Sequence, residues 1–300
     1  ITLREMRALA RKERAEALRA PSSGGLIAPF ISALPFQLTK AQMRVWREIE
    51  RDLAEPHPMH RLVQGDVGSG KTVVAALAAL RAIEAGKQAA LMAPTEILAE
   101  QHFQKIVSWL EPLGIRTAWL TGRQKAAERE ASLESIRSGA AMLAVGTHAL
   151  IQEGVTFPDL GLAIVDEQHR FGVAQRLGLA RAMKNGLKPH LLMLSATPIP
   201  RTLAMSYLAD IDVSIIDELP PGRTPVETKL VRMDRKDAVV GVVRHTVGES
   251  HQVYWVCPLI DESEALDLTP AVRCAEELRA RLPDLKIGLL HGLSLIHISE

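Results

Sequence analysis

A chain of 300 residues, 47% hydrophobic and 24% charged, has the balance of a globular protein and the length for one or two domains with a sizeable core. Its formal net charge of +1 excludes a protein that holds nucleic acid through a uniformly basic surface, so any such contact is confined to a groove. Aromatic residues at 4% call for an aliphatic, alanine-rich core, as helices packed on a parallel sheet make, and Cys257 and Cys274, in no C-x-x-C pair, read as small core residues rather than metal ligands or a disulfide.

Residues 2–19 read as a basic amphipathic helix, with Leu3, Met6, Leu9 and Leu18 on its apolar stripe. Residues 21–25, Pro-Ser-Ser-Gly-Gly, read as a linker. From Leu38 onward, short apolar runs at 61–64, 89–93, 117–120, 142–146, 162–166 and 190–195 alternate with helical segments that include 72–85, 96–110, 126–137 and 201–209. That alternation predicts βαβ units and a doubly wound parallel sheet. Prolines at 220, 221 and 225 around Gly222 break the pattern. Beyond them, strands at 228–232, 252–256 and 286–290 and helices at 235–246 and 271–282 are expected to open a second α/β domain. No signal-peptide pattern is present and no apolar run reaches ~18 residues, which predicts a cytoplasmic protein with no membrane segment.

The run Gly65-Asp66-Val67-Gly68-Ser69-Gly70-Lys71-Thr72 fits G-x-x-x-x-G-K-[ST], between an apolar strand and an apolar helix. Glycines let the backbone wrap a phosphate, and N–H groups at the helix start face the anion. The binding set is therefore Gly65, Gly68, Ser69, Gly70, Lys71 and Thr72. Lys71 reaches the β- and γ-phosphates of ATP, and Thr72 holds Mg²⁺ through its hydroxyl. A second metal-side carboxylate is needed at the end of a buried strand. Leu162-Ala163-Ile164-Val165 followed by Asp166-Glu167 supplies it, with Asp166 on the metal through water and Glu167 orienting or deprotonating the attacking water.

Several further runs carry a resemblance. Asp166-Glu167-Gln168-His169 resembles motif II of the superfamily 2 helicases, and Ser195-Ala196-Thr197 their motif III. Met92-Ala93-Pro94-Thr95-Glu96 is similar to motif Ia and Gly146-Thr147-His148 to motif Ib. Leu38-Thr39-Lys40-Ala41-Gln42 is similar to the upstream adenine-reading element. The run Arg170-Phe171-Gly172-Val173-Ala174-Gln175-Arg176 resembles one shared by RecG-type helicases and transcription-repair coupling factors. Two stretches favour the RecG family: Ile216-Asp217-Glu218-Leu219-Pro220-Pro221-Gly222-Arg223-Thr224-Pro225, and Tyr254-Trp255-Val256-Cys257-Pro258-Leu259-Ile260-Asp261-Glu262-Ser263-Glu264.

This resemblance implies an RecA-like P-loop domain at 36–222 and an incomplete second RecA-like domain at 223–292. A basic helix and linker at 1–35 would precede them, and a non-matching tail at 293–300 would follow. It implies an ATP-dependent, Mg²⁺-requiring DNA translocase on branched or forked DNA, acting in recombination and repair, monomeric when intact. Gln42 would read the base, and Thr95, Thr147 and His148 would touch the DNA backbone. His169, Ser195 and Thr197 would couple hydrolysis to movement. Arg170 and Phe171 either sense DNA or begin a solvated helix. Motif VI, which supplies arginines to the γ-phosphate in the family, has no match, so the chain reads as truncated. The open alternatives are a coupling-factor-like translocase, an RNA helicase, a P-loop kinase or GTPase, and a nucleotide-binding fragment without turnover. His102 and His190 read as structural, and Trp109 and Trp119 as packing residues.

Overall fold

The computed structural model describes residues 14–152, 154–167, 187–197, 211–218, 226–257 and 269–289. The chain divides into two compact units, Ile1–Arg223 and Thr224–Glu300. The first is built on a seven-stranded sheet: β1 (His60–Gly65), β2 (Gln88–Met92), β3 (Thr117–Leu120), β4 (Leu143–Gly146), β5 (Leu160–Val165), β6 (His190–Ser195) and β7 (Asp212–Ile216). Every pairing is parallel, in the order β3-β4-β2-β5-β6-β1-β7.

Side chains alternate across a pleated strand, and both faces of this sheet are covered. Val63, Leu91, Val145, Ile164 and Leu194 enter one core cluster with α1 (Ile27–Ala33), α2 (Lys40–Leu53), α3 (Lys71–Glu84) and α4 (Glu96–Leu110). Their neighbours Leu62, Met92, Ala144, Val165 and Met193 enter a second cluster on the opposite face, with Ile136 of α5 (Ala126–Arg137). Helix α3 is apolar nearly all round, with Val73 to Leu80 buried, because it lies between the sheet and α2. No helix among the described residues is long and apolar enough to cross a membrane.

From Leu38 onward, the expected strands and helices of this unit form within a residue or two of their predicted bounds, except that 201–209 lies outside the described residues. Helices α1 and α2 and strand β7 were not anticipated. The predicted N-terminal helix is corrected where it can be seen, since residues 14–20 are not helical. The N–H groups of Ala15 and Leu18 donate to Pro56 O and Leu53 O instead of to the preceding turn, and Leu18 is buried. Burying Leu18 against the first unit outweighs the weak intrinsic preference for helix. The rest of that segment lies outside the described residues.

In the second unit α6 (Lys236–Gly248) and α7 (Thr269–Arg281) match the two expected helices. Ion pairs join them at Lys236–Glu277 (2.7 Å) and Arg281–Asp237, and Ala275, Leu278 and Leu282 are buried. The three expected strands make no sheet among the described residues. Val226, Leu230, Val253, Tyr254 and Val256 are exposed there. Strand-forming residues without a ladder partner do not make a strand, since pairing and packing supply the preference. Cys257 and Cys274 are free and only partly buried, so neither is the core residue expected.

Candidate active site

Strand order decides which loops meet. β6 lies between β5 and β1, so the loops leaving β1, β6 and β5 emerge side by side at the carboxyl ends of the strands. That edge of an open α/β sheet is where ligands bind.

The loop after β1 closes on itself, with Ser69 N–H donating to Asp66 O at 3.0 Å. Gly68 (φ +80) and Gly70 (φ +88) take left-handed backbone that side chains rarely adopt. A Cβ on Gly65 would sit 2.5 Å from Ser69 Oγ, and one on Gly70 2.2 Å from Gln42 Nε2. Contact constrains both glycines, and at Gly70 the dihedral does so as well. Gln42 is nearly buried. Its Nε2 donates to Ser69 O (2.8 Å) and its Oε1 accepts from Thr39 N–H (2.9 Å), while Thr39 Oγ1 accepts from Gln42 N–H (3.2 Å). The same side chain thus caps α2 and braces the glycine loop. The far end of β7 is tied to this helix as well, through Arg44–Asp217 (2.7 Å) and Ala41 N–H to Glu218 (3.1 Å).

Lys71 opens α3, and its Nζ donates to Gly65 O (2.7 Å) and Asp66 O (3.0 Å). Burial lowers its pKa, against the attraction of Asp166, Glu167 and Asp66. An ammonium held by carbonyl dipoles and partly desolvated gains from an added anion. Ser69 Oγ is buried with no hydrogen-bond partner, a second sign that the loop is shaped for a polar ligand. Thr72 follows Lys71 in the first turn of α3.

Asp166 leaves β5 nearly buried, its N–H donated to Met92 O (2.9 Å). Its Oδ1 accepts from Glu167 N–H (3.0 Å), and its Oδ2 lies 2.6 Å from His102 Nε2. Glu167 has φ +50, uncommon outside glycine and a local strain of about 1–3 kcal/mol of the kind found at functional sites. No group of three or more His, Cys, Asp or Glu side chains that could hold a metal by itself occurs among the described residues. Mg²⁺ commonly takes one or two carboxylates with substrate phosphates, which is what Asp166 beside the glycine loop offers.

Ser195, at the end of β6, shares a hydrogen bond with Thr197 Oγ1 (2.9 Å), and Gln64 Nε2 of β1 donates to Thr197 O (3.0 Å). Gln64, which no sequence motif singled out, therefore ties the Ser-Ala-Thr loop to the strand that feeds the glycine loop. Thr95 and Thr147 follow the paired strands β2 and β4, whose Met92 and Gly146 are in register. Thr95 is exposed and caps α4, accepting from Leu98 N–H (3.3 Å). Thr147 is buried with its hydroxyl unpaired, and His148 beside it is exposed. His169, Arg170 and Phe171 lie outside the described residues. His102 was expected to be structural, but the fold carries it to Asp166. A histidine two turns into the helix after Thr95 was the available signal.

Residues 39–206 match the family model described as DEAD/DEAH box helicase. The chain belongs to that helicase family. Helicase relatives are close in sequence. The chain is 59% identical to "ATP-dependent DNA helicase RecG" of Pasteurella multocida (strain Pm70) over 265 residues, 88% of this chain and 38% of that protein. It is 53% identical to the protein of that name from Escherichia coli (strain K12) over 294 residues, 97% of this chain and 42% of that one. The chain thus spans about two fifths of the length of these helicases. It also resembles the solved structure of RecG bound to a three-way DNA junction, with TM-score 0.78 and 41% identity over 93% of this chain and 36% of that one. The first unit has the RecA-like α/β fold of helicase motors.

Proposed function

We propose that this chain carries the ATP site of a DNA helicase that works on branched DNA, with residues 36–222 as the ATP-binding RecA-like domain and 223–292 as part of a second. One observation carries the reading: β6 separates β1 from β5 by a single strand, so Lys71, the Ser195–Thr197 loop and Asp166-Glu167 converge at one edge of the sheet. Identity of 59% to a RecG helicase supports the branched-DNA substrate over a coupling-factor-like translocase.

Bound MgATP would supply the phosphoanhydride and a Lewis-acidic cation. Lys71 exchanges its carbonyl partners for phosphate oxygens and neutralises charge that grows in the transition state. Thr72 and Asp166 hold the metal side. Glu167, its backbone already strained, orients the attacking water and accepts its proton. Gln42 supports the loop from the base side. Ser195 and Thr197 relay the state of the site to the exposed Thr95 and His148 on DNA, with Thr147 buried behind them. The relatives are bacterial proteins named as DNA helicases, so a cytoplasmic setting fits the same reading.

The test is binding of a fluorescent ATP analogue with Mg²⁺, together with ATP hydrolysis over a titration of forked DNA. Nucleotide binding at micromolar concentration is expected, with Lys71→Ala at least about tenfold weaker, a loss of ~1.4 kcal/mol or more. Equal binding by Lys71→Ala would remove the ATP-site assignment. Hydrolysis stimulated no better by forked than by linear duplex DNA would remove the branched substrate.

A further inference from the structure

Asp166 is held at three points. Its main chain is bonded to β2, its Oδ1 to its neighbour's N–H, and its Oδ2 to His102 at 2.6 Å. The first two bonds belong to the strand end and would exist for any carboxylate there. The third comes from a different element, 64 residues earlier in the chain. The side chains of His102 and Asp166 are 13% and 9% exposed, so the contact is largely shielded from water, where a hydrogen bond to a carboxylate is strong and directional. A carboxylate can only accept, so Nε2 carries the proton, and each carboxylate oxygen keeps a second lone pair free.

His102 lies on α4, whose first residue follows the capping Thr95. Seven residues at 1.5 Å each place Thr95 and His102 about 10 Å apart along one rigid helix axis. The exposed end of that helix is the proposed DNA contact, and its second turn grips the proposed metal-side carboxylate.

We infer that His102 is a positioning residue, which fixes the carboxylate of Asp166 for Mg²⁺ and joins it mechanically to the helix that begins at Thr95. The inference rests on Asp166 being the metal-side carboxylate of an ATP site. It gives α4 a purpose beyond packing: a shift of Thr95 on DNA moves His102, and with it the orientation of the carboxylate. A side chain that orients a metal ligand contributes to affinity for the metal and not to affinity for the rest of the nucleotide, and losing one commonly costs 10–100-fold in metal binding.

The experiment reads binding of a fluorescent ATP analogue to the 300-residue chain, once with EDTA and once over a Mg²⁺ titration. His102→Leu keeps the bulk and removes the donor. His102→Asn keeps a donor on too short a side chain, and His102→Gln places an amide nitrogen near the position of Nε2. His102→Leu and His102→Asn should raise the Mg²⁺ concentration for half-maximal binding about tenfold or more, with binding in EDTA within about twofold of wild type. His102→Gln should recover most of the loss. An unchanged Mg²⁺ midpoint in either Leu or Asn variant overturns the proposal. So does an equal loss in EDTA and in Mg²⁺, which would make His102 a packing residue, or a Gln variant no better than Asn. If His102→Leu does not fold by thermal melting, the comparison of Asn with Gln decides. Absence of nucleotide binding by the wild-type chain would instead remove the ATP-site reading, and this inference with it.

Discussion

Lys71 and Glu167 illustrate how a single side chain is set by its surroundings. Burial works against the charge on Lys71, yet the neighbouring carboxylates and two carbonyls keep the ammonium aimed at the loop. Glu167 sits at φ +50 beside Asp166, and the role proposed for it would separate binding from chemistry. Glu167→Gln should hold the nucleotide within about threefold of wild type while turnover falls about 10²–10⁴-fold, because the amide cannot accept the water's proton. Single-turnover hydrolysis beside equilibrium binding checks this, and lost binding would make Glu167 structural. Gly70 gives a purely steric test. Gly70→Ala forces a side chain onto φ +88 and onto Gln42, whereas Gly86→Ala meets φ +74 with no atom within 4 Å. Both lose roughly 1–2 kcal/mol to the left-handed backbone. Gly70→Ala should lose more in urea denaturation, and it alone should weaken nucleotide binding.

At the scale of the element, β6 is the strand on which the site is assembled, and its first residue, His190, anchors it. The ring is buried, with Nδ1 accepting from Met59 N–H (3.0 Å) and Nε2 paired with Glu16 O (2.8 Å). This holds only for the neutral ring, since a proton on Nδ1 would face the Met59 N–H. Burial, the largest influence, pushes the His190 pKa down from 6.5, and His57 and His60 push the same way. In this range the unfolded chain binds a proton that the folded one refuses. Stability from this group is therefore fully present above pH about 6.5 and lost as pH falls below it. Urea midpoints measured from pH 7.5 to 5.5 should fall more steeply in wild type than in His190→Asn. Parallel slopes would show that other groups carry the acid sensitivity.

Across the whole molecule, the two units differ in what holds them. The first has two continuous apolar clusters on a sheet buried on both faces. The second is described as two helices joined largely by charged pairs, with no buried residue on α6 and a row of exposed Val, Leu and Tyr side chains. Exposed ion pairs contribute little, roughly 0–1 kcal/mol each. Hydrogen exchange should accordingly be slowest at amides of β1, β5 and β6 and faster by orders of magnitude on α6. Equal protection in the two units would show that the second is held by contacts beyond those described.

The local patterns of the sequence determined the six strands from β1 to β6, helices α3 to α5, the glycine loop and the Asp-Glu pair. Each is written in residues adjacent in the chain or one helical turn apart. Helix α2 was legible too, in the Thr39–Gln42 capping box and the spacing of Val45, Trp46, Ile49 and Leu53, though it was not predicted. Strand β7 was not legible, since its Val213 and Ile215 face outward and Ser214 inward, the reverse of an amphipathic strand. It forms because β1 offers an unpaired edge and Arg61 waits for Ser214 Oγ at 2.7 Å. In the second unit the same local signal gives no strand among the described residues, because an extended segment becomes a strand only where a neighbouring strand takes its hydrogen bonds. Strand order, the Gln64–Thr197 bond across 133 positions and the His102–Asp166 contact across 64 were decided by tertiary structure alone. Those contacts depend on which strand lies beside which, and the energy that selects the order comes from burying both faces of the sheet at once, a property that no window of neighbouring residues contains.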